Sequence, residues 1–257
     1  MKIVYVVPSP MGRTEAGKAE MNRRLSLLKS YASSDTIVDI VDAEFGPASI
    51  ESVYEEHLSI PSTVELMIQK EREGYDAAIL GCFGDPGLDA IREVTGKMAI
   101  VGPGETSALA AALCGNRFSI ITVTNSMVNP LIHLVEKAGV GKKLSSVRAI
   151  ETPVLDLAES YKETLDKLIQ EGQKAITEDR ADTLILGCMS MGFLHVAEDM
   201  STHLGVPVIN PGKASLKFAE AMVGANLFHS KKAYITPPKL LSGKVNSTKE
   251  LLVFKNN

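Results

Sequence analysis

Two of the three cysteines in this chain close almost the same heptapeptide, DAAILGC at 76–82 and DTLILGC at 182–188. Each follows the glycine that ends an apolar run, and each is followed by residues that read as the start of a helix, GCFGDPGLDAIREV and GCMSMGFLHVAEDM. A thiol at a helix N-terminus meets the positive end of the macrodipole, which favours its thiolate. The free backbone N–H groups that follow, from Phe83 and Gly84 or from Met189 and Ser190, are donors for a carboxylate or enolate oxygen. With an unperturbed pKa of roughly 8.5, a thiol can serve as acid or as base. Two thiols related by a repeat suit a reaction that is itself symmetric. One group removes a proton from one face of a carbon, the other returns a proton to the opposite face, and the roles exchange in reverse. Racemisation of a carbon acid is such a reaction. A single cysteine at a strand end is most often a small packed residue, but packing gives no reason to duplicate it. Cys114, at the end of ALAAALC, fits that packing account and is expected to be buried and without function.

The elements that must position these thiols alternate along the chain. Short Val- and Ile-rich runs predict strands at 3–7, 36–41, 77–81, 99–102, 118–122, 147–151, 183–187 and 207–209, with helices between them. In PSTVELMIQKEREG, Ser62 and Glu65 are spaced as a capping box and Gly74 as a stop. From Leu157, the residues Tyr161, Leu165, Leu168 and Ile169 recur at helical spacing. The duplication extends past the cysteines: KIVYVVPSP corresponds to RFSIITVTN at 117–125, DTIVDIVDAE to VRAIETPVLD at 147–156, and AIVGPG to PVINPG at 207–212. Four strands in the same order occur twice, which predicts an α/β protein of two pseudo-symmetric lobes, each a mostly parallel four-stranded sheet flanked by helices. Ligands gather at the carboxyl ends of such strands, so two facing lobes aim both thiols into one cleft, the expected active site.

At 257 residues and 45% apolar content the chain can bury a sizeable core. A net charge of −4 with basic residues spread along the chain leaves no footprint for nucleic acid and no polybasic surface for a membrane. No apolar run approaches the roughly 18 residues of a membrane span, and MKIVYVVPSP reads as an opening strand rather than a secretory signal. Three cysteines without paired spacing make no disulfide framework, so a reducing cytoplasm is the default expectation. No GxGxxG opens a helix and no Walker motif occurs, which predicts no cofactor. The five histidines show no metal-site spacing, and no metal is expected.

FGPASIESVYEE at 45–56, GCFGDPGLDAIRE at 81–93, VGPGET at 101–106, RFSIIT at 117–122 and LGCMSM at 186–191 together resemble hydantoin racemases. These belong with allantoin racemases to the aspartate/glutamate racemase superfamily. The likeness runs from the first strand to about residue 220. It implies a cofactor-independent two-base enzyme, with the family's catalytic cysteines at Cys82 and Cys188. Its substrates would be small five-membered ureido rings, 5-substituted hydantoins or allantoin, and the enzyme would be a homo-oligomer. It also implies a first lobe over 1–103, a second over 104–209, and a return to the first lobe from 210 to 257 with a C-terminal extension. Three places depart from the family pattern: Val7-Pro8-Ser9-Pro10 stands where an Asn-Pro-Asn-Ser/Thr loop is usual, Met189-Ser190 where two small residues are common, and Asn210-Pro211 where an Asp-Gly pair is.

The candidate substrate contacts are Ser9, Phe83, Gly84, Thr122, Thr124, Met189 and Ser190. Thr122, Thr124 and Asn125 mirror the Pro8–Pro10 loop, although turn chemistry at a strand end accounts for them equally well. Glu105 is read as a helix-start acid and Asp85 as a turn residue before Pro86 opens a helix. His195, two helical turns beyond Cys188, is read as surface or packing. The polar tail from Ser230, SKKAYITPPKLLSGKVNSTKE, is expected to pack on the surface or on a neighbouring subunit. The rivals to a hydantoin-type racemase are an aspartate/glutamate-type amino-acid racemase, a non-catalytic small-molecule binding protein of the same fold, and a cysteine hydrolase. The last needs a partnered His, and none occupies a comparable strand-end loop.

Overall fold

The structure, a computed structural model, describes residues 1–243 and 250. The strands are β1 (Lys2–Val7), β2 (Ile37–Asp42), β3 (Ala77–Leu80), β4 (Ala99–Val101), β5 (Phe118–Thr122), β6 (Leu144–Ala149), β7 (Thr183–Leu186) and β8 (Val208–Ile209). The helices are α1 (Glu15–Tyr31), α2 (Val53–Arg72), α3 (Leu88–Val94), α4 (Pro103–Cys114), α5 (Val128–Lys137), α6 (Tyr161–Thr177), α7 (Met189–Phe193), α8 (Val196–Leu204), α9 (Pro211–Gly224) and α10 (Pro238–Leu241). Two four-stranded sheets form, ordered β2-β1-β3-β4 and β6-β5-β7-β8. Every pairing in both is parallel. Strand for strand the second sheet repeats the first, as the internal duplication predicts.

Parallel sheets must be covered on both faces, because their crossovers put helices there. Ile3 through Val6, Ala77 through Leu80, and Leu184 through Leu186 are accordingly fully buried. One core surrounds the second sheet, and two cores lie on the two faces of the first. Helix α9 contacts β3, β4 and α1, and its Leu216 and Ala219 pack in the core of the first sheet with Ile3 and Tyr5. Helix α4 supplies Ala108 and Ala111 to the core of the second. No helix among the described residues is long and apolar enough to cross a membrane.

Three local expectations are corrected. The capping box of α2 is Ser52 with Glu55, not Ser62 with Glu65. Ser52 Oγ accepts the Glu55 N–H at 3.3 Å, while the Glu55 carboxylate accepts the Ser52 hydroxyl at 2.9 Å and the Glu51 N–H at 2.8 Å. The helix runs on through Pro61, and Ser62 Oγ instead accepts the Phe45 N–H. Gly74, at φ +83, follows the end of the helix as expected. Strand β6 begins at Leu144 rather than Val147, so the pairing VRAIETPVLD with DTIVDIVDAE is out of register. An edge strand need not be apolar; Ser146 and Arg148 of β6 bond with Asp179. Helix α6 starts at Tyr161, which is exposed, and its buried face carries Thr164 and Leu168.

The tail closes over the edge of the first sheet. His229 Nε2 accepts the Ile100 N–H at 2.8 Å, Arg92 Nη1 donates to Tyr234 Oη at 3.2 Å, and Lys231 Nζ donates to the carbonyls of Arg92 and Glu93 at 2.9 Å. Residues 244–249 of the expected tail segment lie outside the described residues.

Candidate active site

The repeated Leu-Gly-Cys is explained by the neighbouring central strand. Gly81 N–H donates to the Val6 carbonyl and Gly187 N–H to the Ile121 carbonyl, each at 2.8 Å. A Cβ on Gly81 would lie 2.6 Å from the Val6 oxygen, and one on Gly187 would lie 3.0 Å from the Ile121 oxygen. Only a residue without a side chain passes that close, and the same contact at both sites delivers a cysteine to the carboxyl end of β3 and of β7. Beyond the cysteines the repeat breaks. Cys188 is the N-cap of α7, whereas the segment after Cys82 turns through Gly84 to Gly87 before α3 begins at Leu88. Cys82 therefore does not sit at a helix N-terminus, and Pro86 precedes the helix without opening it. The Gly84 N–H still bonds the Cys82 sulfur, as the Ser190 and Met191 N–H groups and the Ser190 hydroxyl bond that of Cys188.

The residue after each cysteine is anchored in the opposite lobe. Phe83, from the first sheet's loop, is buried in the core of the second sheet. Met189 and Phe193, from helix α7 of the second sheet, are buried in the core of the first, where Phe193 meets Tyr5 edge-on at 5.6 Å. Full burial of side chains this size is worth about 1.5–3 kcal/mol each, so the exchange clamps the loop after Cys82 and helix α7 against each other. Met189 thus both packs and lines the gap between them. That gap is a cavity of about 630 Å³ including its mouth, and both Cys82 and Cys188 line it. Residues from the carboxyl ends of β1, β3, β5 and β7 converge on it, with Ile50 and Val154 among its apolar walls. A cleft of about 1400 Å³ adjoins it through Ser9, Met11, Arg24, Ala48, Val154 and Ser190, which line both spaces.

Burial pushes both thiols upward, Cys82 well above the ordinary thiol range, against the N–H bonds that pull them down. The helix-end stabilisation expected from the sequence is therefore outweighed by desolvation. Charged groups near the sulfurs differ in sign. Arg24 of α1, only 6% exposed, lines the cavity, donates Nη2–H to Ser190 Oγ at 3.1 Å and lowers Cys188. Glu56 of α2 raises Cys82, and its own carboxyl is pushed up to about 7 by burial. Tyr5, fully buried, donates its hydroxyl to the Gly81 carbonyl at 3.3 Å and feels both thiols; its phenol is driven far above the ordinary range by desolvation.

Of the residues singled out by sequence, Ser9, Phe83, Gly84, Thr122, Met189 and Ser190 line the cavity with the two cysteines. Thr124 does not; its hydroxyl pairs with Ser126 at 2.8 Å outside the cavity, and Asn125 is exposed. Asp85 is buried, and its carboxylate accepts the N–H groups of Gly104 at 3.1 Å and Glu105 at 2.8 Å, so it caps α4 from a distant loop. Glu105 is paired with Arg92 and is not a cavity residue. Asn210 caps α9, accepting from Gly212 at 3.0 Å and Lys213 at 3.2 Å. Cys114 is exposed at the end of α4, not buried, because the helix leaves the core after Ala111 and its end, with Leu113, projects outward. His195 is exposed and its ring lies against Tyr31. Arg24, Glu56, Tyr5 and Met11 were not singled out by sequence. The segment 45–56 holds Ala48, Ile50 and Glu56, so its distinctive run was a signal, whereas nothing in the pattern of α1 marks Arg24.

Comparison with known proteins bears directly on this geometry. The sequence profile of the Asp/Glu/hydantoin racemase family matches residues 13–219, which include both cavity cysteines. The chain belongs to this family. It is an isomerase of the racemase kind, and its curated relatives align over most of their length. It is 42% identical over 212 residues to a hydantoin racemase of Pseudomonas sp. (strain NS671), covering 82% of this chain and 84% of the relative. It is 34% identical over 233 residues to a hydantoin racemase of Paenarthrobacter aurescens, covering 90% and 94%. The allantoin racemase from Klebsiella pneumoniae has the same fold, with a TM-score of 0.84 at 27% identity and coverage of 93% and 94%.

Proposed function

We propose that this racemase inverts the acidic carbon of a small cyclic ureido compound, a 5-substituted hydantoin or allantoin, with Cys82 and Cys188 as its acid/base pair and without a cofactor. The observation that carries the reading is that both thiols, each delivered by the same strand–Gly–Cys construction, line one cavity. The site lies between a first lobe over 1–103 and a second over 104–209, with the chain from 210 rejoining the first. One sulfur, as thiolate, takes the proton from the carbon beside the ring carbonyl, and the carbanion's charge moves onto that oxygen. The other sulfur delivers its proton to the opposite face, so the two exchange protonation states and no atom is gained or lost. Ser9, Ser190 and Arg24 offer donors around the cavity for the ring's oxygens, and the adjoining cleft leaves room for the ring substituent.

The test is incubation of single enantiomers in deuterated water, following optical rotation and C–H exchange. Cys82→Ser and Cys188→Ser are each expected to abolish racemisation, about 10²-fold or more. Each retains hydrogen exchange on at most one enantiomer, opposite for the two variants. Normal racemisation by either variant refutes the thiol assignment.

A further inference from the structure

The two sulfurs are equivalent in the repeat but not in their surroundings. Beside Cys188 stands a cation. Arg24 donates Nη2–H to Ser190 Oγ at 3.1 Å, and Ser190 bonds the Cys188 sulfur through its own N–H and hydroxyl. Glu20, which pairs with Arg24 at 2.8 Å, is shared with Arg23 at 2.7 Å, so two guanidinium groups face one carboxylate and a net positive charge remains. The Arg24 guanidinium is also held over the Phe193 ring at 5.0 Å. Beside Cys82 stands a carboxylate. Glu56 Oε1 is buried without a hydrogen-bond partner, and it presses on Gly84, where a Cβ would come within 2.0 Å of it. The Gly84 N–H is the donor to the Cys82 sulfur. Of the remaining titratable groups, Asp85 faces Cys82, and Tyr5 lies near both sulfurs.

We propose that the two thiols of the substrate-free enzyme ionise in a fixed order, Cys188 before Cys82, with Arg24 and Glu56 as the positioning residues that break the symmetry of the pair. Resting on the two-thiol mechanism above, this makes Cys188 the first base and Cys82 the first acid. Cys188 takes the carbon's proton and Cys82 gives up its own, leaving Cys188 as thiol and Cys82 as thiolate. That product form is the costlier of the two, because the negative sulfur then lies beside Glu56 and away from Arg24. It reverts by exchanging protons with solvent or by processing the opposite enantiomer.

The experiment is alkylation of the intact, substrate-free protein with iodoacetamide across pH 6 to 11, a Cys82 midpoint beyond the range counting as higher than that of Cys188. Each cysteine is followed by peptide mass spectrometry, with exposed Cys114 as the internal reference. The midpoint of each pH profile reports ionisation rather than access. The Cys188 midpoint is expected about one pH unit or more below that of Cys82, a tenfold lead in rate, given that a neighbouring charge moves a pKa by 1–3 units. Arg24→Gln should raise the Cys188 midpoint by about one unit while Arg24→Lys largely preserves it. The isosteric Glu56→Gln should lower the Cys82 midpoint by a similar amount, and it disturbs the fold least. A Cys82 midpoint equal to or below that of Cys188, or profiles unmoved by both Arg24→Gln and Glu56→Gln, overturns the proposal. The readout needs no substrate. Equal midpoints in a racemase that loses activity with either cysteine therefore refute the asymmetry alone.

Discussion

Replacing Gly81 by alanine tests how closely the thiol's position depends on the strand beside it. The added Cβ would stand 2.6 Å from the Val6 carbonyl oxygen and 2.9 and 3.0 Å from two atoms of the Tyr5 ring. Ordinary contact begins near 3.4 Å, so the chain carrying Cys82 must back away from β1 by 3.4 − 2.6 = 0.8 Å. Neither obstacle can yield. Val6 is fixed in the sheet and Tyr5 is fully buried against Phe193. Overpacking of this kind costs about 1–3 kcal/mol, and a displacement approaching 1 Å at a reacting group costs up to about 10²-fold in rate. At Gly187 the backbone contact is milder, 3.0 Å to the Ile121 oxygen, but Ile120 Cγ2 stands 2.6 Å away on a fully buried, β-branched side chain with no room to turn aside. Gly81→Ala and Gly187→Ala are therefore each expected to lose about 1–3 kcal/mol in urea unfolding and about 10- to 100-fold in kcat/KM by polarimetry. Near-native stability and activity in either variant would refute the argument.

Three further outcomes follow from the same contacts. His229 must be neutral to accept the Ile100 N–H, and burial pulls its imidazole down to about 4 from the usual 6.5. Between those values the unfolded chain binds more protons, so stability is full above about 6.5 and falls as pH drops toward 4. The ring is partly exposed, which holds the effect to about 1 kcal/mol; urea midpoints at pH 7 and 4.5 should show a smaller difference in His229→Gln. Asn210→Ala removes acceptors for Gly212 and Lys213 and the donor to the Gly192 carbonyl at 2.8 Å, a loss of about 1–2 kcal/mol in the same assay. Cys114→Ser, at an exposed helix end, should leave the racemisation rate unchanged, and a clear loss would mean that the end of α4 takes part in the site.

The architecture was legible because parallel strands leave a dense apolar record. Each of β1, β3, β5 and β7 was visible as a run buried on both faces, and the two copies reinforced each other. Where burial was incomplete the record thinned. Strand β6 is polar along one edge and was placed three residues late, and the start of α2 was hidden by Pro61, which reads as a boundary although the helix passes through it. At the site, the cysteines and the residues next to them were legible from spacing. Thr124 was carried along by the mirror of the Pro8–Pro10 loop, yet one residue past Val123, which lines the cavity, the chain has already turned outward. Asp85 was seen as a turn residue, but its partners are the N–H groups of Gly104 and Glu105 on another element, and no local pattern encodes that.

What the sequence determined by itself is the repeat: two sheets of one order, each ending a central strand in Gly-Cys, because periodicity and a missing side chain are properties of neighbours along the chain. What only the tertiary structure decided is the inequality of the two thiols. Arg24 and Glu56 lie 164 and 26 residues from the cysteines they face, and no spacing along the chain records either approach. Burial raises both sulfurs, and the sign of the nearest charge differs between them. Electrostatic environment depends on distance in space, and folding alone sets that distance.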